Sequence, residues 1–229
     1  MAAAGYDRIV RPAHLYVHVP FCARRCSYCD FAVTALRDPP VEAWLDATAS
    51  ELAMVCSREG WDRLRLDTVY VGGGTPSLLG PGAMAALREC IERWTHLASD
   101  AEWTVEANPE SFDAGIAKDW MQAGVTRVSL GAQTFHAPAL RWMGRLHGPD
   151  GPERAVAAAR RAGFDDIGID LIFGLPERLG RDWGTDLERA LALDPAHVSL
   201  YGLTAEPGTP LGRWVAAGRE RLAREATYE

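Results

Sequence analysis

Short apolar runs alternate with longer amphipathic stretches along the chain, and this alternation predicts a parallel α/β fold. The amphipathic stretches 42–59 and 81–97 repeat apolar residues at helical spacing, and Gly124 and Gly163 each end another such stretch. Six strand candidates are rich in Val, Ile, Leu or aromatic residues and span 14–20, 68–74, 102–108, 127–133, 166–174 and 197–203. We therefore expect one domain over residues 1–229, a partial parallel (β/α)6 barrel.

A finer alternation within the third, fourth and fifth strands predicts which face lines the barrel. Every second residue is apolar and should pack on the helices, so the small or polar residues between should face inward. A closed eight-stranded barrel fills its interior with branched apolar side chains, so a polar interior predicts a ligand cavity here. The predicted inward set is Thr104, Glu106, Asn108, Ser129, Gly131, Gln133, Asp166, Gly168 and Asp170.

The composition and the net charge indicate the class of protein, its location and the partners it is unsuited to bind. With 48% hydrophobic and 24% charged residues, the 229-residue chain has the composition of a globular protein. Its net charge of -7 offers no basic footprint for nucleic acid. No apolar run reaches membrane-spanning length, and the start MAAAGYDRIVRP lacks the apolar core of a signal peptide. We expect a cytoplasmic location, where the five cysteines stay reduced and favour metal binding over disulfides.

Three cysteines crowd into the string YVHVPFCARRCSYCDF, residues 16–31. Cys22, Cys26 and Cys29 follow the spacing C-x3-C-x2-C, and no fourth cysteine follows. A structural zinc site takes four ligands, so a zinc site here would need a residue such as His18 to complete it. In a cubic iron–sulfur cluster, three cysteines hold three irons and leave the fourth iron open to an outside ligand. The open position favours the cluster.

This motif resembles that of the radical S-adenosylmethionine (SAM) superfamily. Further strings, YVGGGTPSLL, TVEANPES, VSLGAQTF, GRLH, IDLIFGLP and YGLTAEPGTPL, follow in an order similar to the oxygen-independent coproporphyrinogen III oxidase family. Within that family the chain resembles the haem chaperone (HemW-like) branch. The resemblance implies a TIM-like barrel of the radical SAM type, a [4Fe-4S] cluster on Cys22, Cys26 and Cys29, and SAM on the open iron. It also implies that an electron from the cluster cleaves SAM to methionine and a 5′-deoxyadenosyl radical.

The resemblance places one group of SAM contacts near the cysteines and the second strand. Tyr16 and Tyr28 match positions that contact SAM. Gly73, Gly74 and Thr75 match the loop that approaches its methionyl end, where glycine permits close backbone approach. A phosphate-binding loop is the alternative for GGGTP, but the string lacks the lysine and the spacing of that motif.

A second group of predicted contacts lies at the ends of the later strands. Glu106 matches an acidic contact to SAM, and Thr204 matches a contact near its adenine. Gln133, Arg145 and Asp170 match polar positions of the SAM pocket or of an adjoining second-ligand pocket. The alternative for Glu106 and Asp170 is a structural role as carboxylates that cap helices, the commoner fate of an isolated acid at a strand end.

The position after the third cysteine distinguishes two branches of the family. The oxidase branch carries a further cysteine there, whereas Asp30 and Phe31 follow Cys29 in this chain. The resemblance therefore favours a chaperone that binds haem and delivers it to haem-requiring enzymes, and no residue is assigned a catalytic role. The alternative is oxidative decarboxylation of coproporphyrinogen III to protoporphyrinogen IX, so whether the chain is an enzyme stays open. Radical chemistry on RNA is a third option, which the acidic charge disfavours.

The resemblance also implies partners and a missing part. The partners are haem or a porphyrinogen, a reductant protein such as flavodoxin, and recipient haem proteins. Members of the family continue into a smaller C-terminal domain, whereas this sequence ends at REATYE within a predicted helix. We therefore expect residues 1–229 to be the radical SAM core without that domain. Among six histidines, His147 is the first candidate for a haem ligand.

Overall fold

The computed structural model describes residues 11–61 and 63–223, and its centre is one sheet of six parallel strands. The sheet curls into a half-barrel, and its strands neighbour one another in chain order. They are β1 (His14–Val19), β2 (Leu64–Gly73), β3 (Thr95–Ala107), β4 (Arg127–Gln133), β5 (Asp166–Phe173) and β6 (His197–Gly202). The predicted partial barrel is confirmed.

Helices connect the strands, as parallel pairing requires. They are α1 (Val41–Glu59), α2 (Ala83–Glu92), α3 (Ala114–Ala123), α4 (Ala137–Met143), α5 (Gly151–Ala162), α6 (Trp183–Ala192) and α7 (Pro210–Ala216). Short 3-10 turns occupy Pro76–Leu79 and Glu177–Leu179, and Phe21–Cys22 pairs with Thr34–Ala35 around the cysteine loop. Gly124 and Gly163 close α3 and α5 with φ of 93° and 105°, as predicted.

The predicted helix over 81–97 is wrong at both ends. α2 begins only at Ala83, after Gly82 in the left-handed conformation, and it ends at Glu92. The stretch from Thr95 already belongs to β3, where Thr95 pairs with Leu64 of β2. Helical and extended periods both fit so short an apolar pattern, and pairing with β2 decides between them. The helix predicted at the C-terminus falls on residues 224–229, outside the described part of the chain.

The main core lies between the outer face of the sheet and the helices. Val105, Val128, Leu130 and Ile169 have no exposed surface and belong to one apolar cluster. The inward or outward orientation predicted from the alternation is therefore confirmed for these strands. Within residues 11–61 and 63–223, no helix is both long and apolar enough to cross a membrane.

A smaller core joins the cysteine loop to the C-terminal helix. Tyr28 packs against a cluster that contains Met143 and Leu211. Ser27, next to Cys26, donates its backbone N–H to the Met143 carbonyl at 3.0 Å and accepts the Leu211 N–H at 2.8 Å. The cysteine loop is thus held by α4 and α7 as well as by the end of β1.

Candidate functional site

A cavity of about 340 Å³ lies at the carboxyl ends of the strands, the end where parallel barrels place their sites. Every predicted site residue except Tyr16 lines it: Cys22, Cys26, Tyr28, Cys29, Gly73, Gly74, Thr75, Glu106, Gln133, Arg145, Asp170 and Thr204. Tyr16 is 56% exposed, and its hydroxyl lies 3.1 Å from His18 Nδ1 instead. The predicted contact of Tyr16 with SAM stays a prediction.

Each of the three cysteine sulfurs has a hydrogen-bond donor. The Thr75 hydroxyl donates to Cys22 Sγ at 3.4 Å, and Arg145 Nη1 donates to Cys26 Sγ at 3.9 Å. The backbone N–H of Phe31 donates to Cys29. Burial raises the pKa of the Cys22 and Cys29 thiols, and these donors act in the opposite direction. Sulfurs supplied with donors suit the thiolate ligands of an anionic cluster.

His18 is poorly placed as a fourth ligand for zinc. Its Nδ1 lies 3.1 Å from the Tyr16 hydroxyl and its Nε2 lies 2.9 Å from the Ala32 carbonyl, so both ring nitrogens already have partners. Among the described residues, no three His, Cys, Asp or Glu side chains are grouped as ligands of one ion. A cubic cluster asks for wider spacing than zinc, because each thiolate binds a different iron.

The glycine turn after β2 is bonded to the chain's own backbone and to Glu106. Gly74 N–H donates to the Val19 carbonyl and Thr75 N–H to the Phe21 carbonyl, both at 2.7 Å. Gly73 N–H donates to Glu106 Oε2 at 3.0 Å. Because these three amides are occupied, the phosphate-loop alternative is wrong.

Close approach at this turn explains why glycine is needed there even without a ligand. A Cβ on Gly74 would lie 2.4 Å from the Phe21 carbonyl oxygen. Gly73 has φ of 105°, and a Cβ there would lie 2.3 Å from His18 Nδ1. The turn therefore holds the segment that leads into the cysteine loop.

The two predicted acids face the cavity and cap none of the described helices, so the capping alternative is wrong. Glu106 Oε1 accepts the Tyr70 hydroxyl at 2.7 Å, and Ser129 donates to both carboxylate oxygens of Asp170 at 3.1 and 3.0 Å. Burial raises the pKa of Glu106 and of Asp170, and their hydrogen-bond donors partly offset that rise. Both carboxylates suit a cationic or hydrogen-bonding ligand group.

Gln133 reaches the cavity through an irregular strand end. It has a positive φ of 66°, and the pairing of β4 with β5 shifts between Leu130 and Gln133. Such a bulge redirects a side chain at the end of a strand. Asp186 of α6 holds the residues that follow, because it accepts the Thr134 hydroxyl at 2.5 Å and the Phe135 N–H at 2.8 Å.

Arg145 is a buried cation next to the cysteines. Its side chain is 6% exposed, and its nearest carboxylate in the described structure is that of Glu110, 4.0 Å away. Nη2 donates to Asn108 Oδ1 at 2.6 Å and to the Gly131 carbonyl at 2.7 Å. A guanidinium held here would offset the negative charge of thiolate ligands on the cysteine side of the cavity.

His147 is engaged inside the protein. Arg145 Nε donates to its Nε2 at 3.3 Å, and its Nδ1 lies 3.0 Å from the Gly148 carbonyl oxygen. Burial and the neighbouring Arg145 charge lower the pKa of His147 and favour the neutral ring. Haem ligation by His147 would require at least one of these bonds to break.

Several cavity residues were absent from the predicted site. Asn108 and Ser129 were predicted to face inward, but nothing in the sequence showed which partners they would meet. Tyr70 bonds Glu106, and Tyr201 lines the cavity from β6. The alternation of side chains along β2 and β6 could have predicted that both tyrosines face inward.

Comparisons with known proteins identify the family of this chain. A family model of the radical SAM superfamily matches residues 16–190. The heme chaperone HemW of Escherichia coli is 39% identical over 206 residues, which cover 88% of this chain and 53% of that protein. The heme chaperone HemW of Mycobacterium tuberculosis is 40% identical over 214 residues, which cover 91% and 54%.

A solved structure gives the same result for the fold. Coproporphyrinogen III oxidase (HemN) from Escherichia coli, described as a radical SAM enzyme, matches with a TM-score of 0.81 at 25% identity. The match covers 95% of this chain and 50% of that chain, so the sequence spans about half the length of the relatives it matches. The predicted resemblance to HemW-like proteins is confirmed, and the chain belongs to the radical SAM superfamily.

Proposed function

We propose that this chain is the cluster- and SAM-binding core of a HemW-like haem chaperone. One observation carries the proposal: three thiols with no fourth open onto a cavity that polar residues from the other strands also line. Cys22, Cys26 and Cys29 would hold a [4Fe-4S] cluster and leave one of its irons without a protein thiolate. When bound, the cluster and SAM supply one-electron chemistry.

The side chains around the cavity bind and orient in this proposal. Tyr70 and the Gly73 N–H hold the Glu106 carboxylate, which would accept hydrogen bonds from the amino group of SAM. Arg145 would offset the charge of the cluster. One wall of the cavity is formed by Gly73, Gly74 and Thr75. The other proposed contacts to SAM are Tyr16, Tyr28, Gln133, Asp170 and Thr204.

Haem binding and delivery are proposed from the relatives named heme chaperones, which are 34–40% identical to this chain. Phe31 supports the chaperone, since the resemblance puts the additional cysteine of the oxidase branch just after Cys29. Haem, a reductant protein such as flavodoxin and recipient haem proteins are the proposed partners, in the cytoplasm. Residues 1–229 form the proposed core domain.

The second candidate is oxygen-independent coproporphyrinogen III oxidase. The fold match to that enzyme, with a TM-score of 0.81, supports it. Its 25% identity is lower than that of the HemW relatives, and Phe31 lies where a further cysteine would be expected. The chaperone is therefore the preferred function.

Anaerobic reconstitution with iron and sulfide, followed by separate assays, tests the proposal. The chain should take up iron and sulfide. A chimera that joins it to the C-terminal part of a HemW relative, which this sequence does not span, should bind haem without converting coproporphyrinogen III. Protoporphyrinogen IX formed in proportion to SAM consumed would replace the chaperone by the oxidase.

A further inference from the structure

The Asn108 side chain lies between the donors to two of the three cysteine sulfurs. Asn108 Nδ2 donates to Thr75 Oγ1 at 3.0 Å, and Thr75 Oγ1 donates to Cys22 Sγ at 3.4 Å. On its other side, Asn108 Oδ1 accepts Arg145 Nη2 at 2.6 Å, and Arg145 Nη1 donates to Cys26 Sγ at 3.9 Å. Four hydrogen bonds thus connect Cys22 to Cys26 through one amide.

The direction of each bond follows from the chemistry of the groups. Arginine has donors and no acceptor, so the oxygen of the Asn108 amide must face Arg145 and its NH2 must face Thr75. A threonine hydroxyl has one proton. Because Thr75 Oγ1 accepts from Asn108, its own proton is directed to Cys22. The Asn108 backbone N–H donates to Ser77 Oγ at 3.1 Å and anchors the residue.

We propose that Asn108 is a positioning residue that aligns both sulfur donors and thereby raises the reduction potential of the cluster. Hydrogen bonds to ligand sulfurs favour the more negative, reduced state of an iron–sulfur cluster. The inference rests on the proposed function, because only a bound cluster has this potential. It adds a residue that belongs to neither the cysteine motif nor the predicted SAM contacts.

Asn108→Asp keeps the size of the side chain, changes the direction of its bond to Thr75 and adds a negative charge. The aspartate keeps an acceptor for Arg145 but has no proton for Thr75, so it draws the Thr75 hydroxyl away from Cys22 and adds a negative charge. The midpoint potential of the reconstituted cluster, measured by anaerobic spectroelectrochemical titration, should fall. Ser129→Ala is the control, since it removes the hydrogen bonds to Asp170 at 3.1 and 3.0 Å in the same cavity without touching Asn108 or a sulfur donor.

A double-mutant cycle separates the Thr75 branch from a general charge effect. Thr75→Val removes the hydroxyl, whereas Thr75→Ser keeps it. The potential drop caused by Asn108→Asp should be smaller in the Thr75→Val background than in the native chain, because the Cys22 bond is already lost there. Thr75→Ser should retain a potential close to that of the native chain.

The outcomes distinguish this inference from the function on which it rests. A native chain that takes up no cluster would overturn both. Equal potentials in the native chain and Asn108→Asp, at equal iron content, would overturn the role of Asn108 and leave the proposed function intact. If Asn108→Asp takes up no cluster, Thr75→Val and Thr75→Ser decide: a lower potential only in Thr75→Val supports the inference, and equal potentials overturn it.

Discussion

Side chains alternate between the outer and the inner face of β4, and the two faces differ in their contribution to stability and to the proposed site. Val128 and Leu130 on the outer face have no exposed surface and belong to the main core. Ser129 and Gln133 line the cavity. Burial of an aliphatic side chain stabilises the fold by roughly 1.5–3 kcal/mol, whereas a buried polar group costs free energy unless it is paired. The outer face therefore stabilises the barrel, and the inner face provides the proposed site.

The largest effect is expected on the outer face. Leu130→Ala should lower the free energy of unfolding by about 2–5 kcal/mol, because it leaves a cavity in a fully buried site. Urea denaturation of the metal-free chain measures it. Ser129→Ala, on the adjacent residue, should cost less than about 1.5 kcal/mol, since it removes a hydrogen bond to Asp170. A larger loss from Ser129→Ala would contradict the division between the faces.

The glycine turn is the expected exception, because it borders the cavity and yet holds the fold. Gly74→Ala should destabilise the chain by about 1–3 kcal/mol, since its Cβ would meet the carbonyl oxygens of Phe21 and Val19 at 2.4 and 2.7 Å. Gly208→Ala is the control, because no atom lies within 4 Å of the Cβ it would add. Equal stability of the two variants would show that the close approach at Gly74 is relaxed.

The smallest effect concerns the buried inner acids and depends on pH. The raised pKa of Glu106 means that its ionised form is disfavoured in the folded chain, so folding is weakened as the pH rises through that pKa. Glu106→Gln should therefore be more stable than the native chain at pH 8. The difference should shrink as the pH falls towards 4.5, the ordinary pKa of the group. Urea midpoints at several pH values measure it.

The same pH series applied to Asp170 tests whether burial of the inner acids costs stability. Asp170→Asn should show the same trend, because burial also raises the pKa of Asp170. A stability difference that stays constant with pH in both variants would mean that the inner acids carry no desolvation cost. The inner face would then differ from the outer face only in packing.

Much of this division was predictable from the sequence, because side chains on a strand alternate with a period of two. The alternation placed Trp103 and Val105 outside and Glu106 inside, as the structure has them. The prediction failed at residues 95–97. Their apolar residues fit a helical spacing, which concealed that β3 already pairs with β2 there. A short apolar pattern cannot separate the two periods when distant pairing decides.

The sequence predicted which residues belong to the site, but it did not predict the hydrogen bonds between them. The motifs identified Thr75 and Arg145, but no local signal reveals that Asn108 joins them through tertiary contacts. The positive φ of Gln133 was equally hidden, because glutamine rarely adopts it and the bulge with β5 imposes it. Tyr16 is the opposite case. The motif match predicts a SAM contact, but Tyr16 lies before the end of β1 and does not line the cavity.

Cys22, Cys26 and Cys29 are proposed to hold a cluster with one iron open to SAM. Electron paramagnetic resonance of the anaerobically reconstituted, reduced chain, recorded before and after addition of SAM, decides whether they do. We expect a cluster signal that SAM changes, and no such signal in Cys26→Ala. Stoichiometric zinc without iron uptake, or a cluster signal that SAM leaves unchanged, would contradict the account.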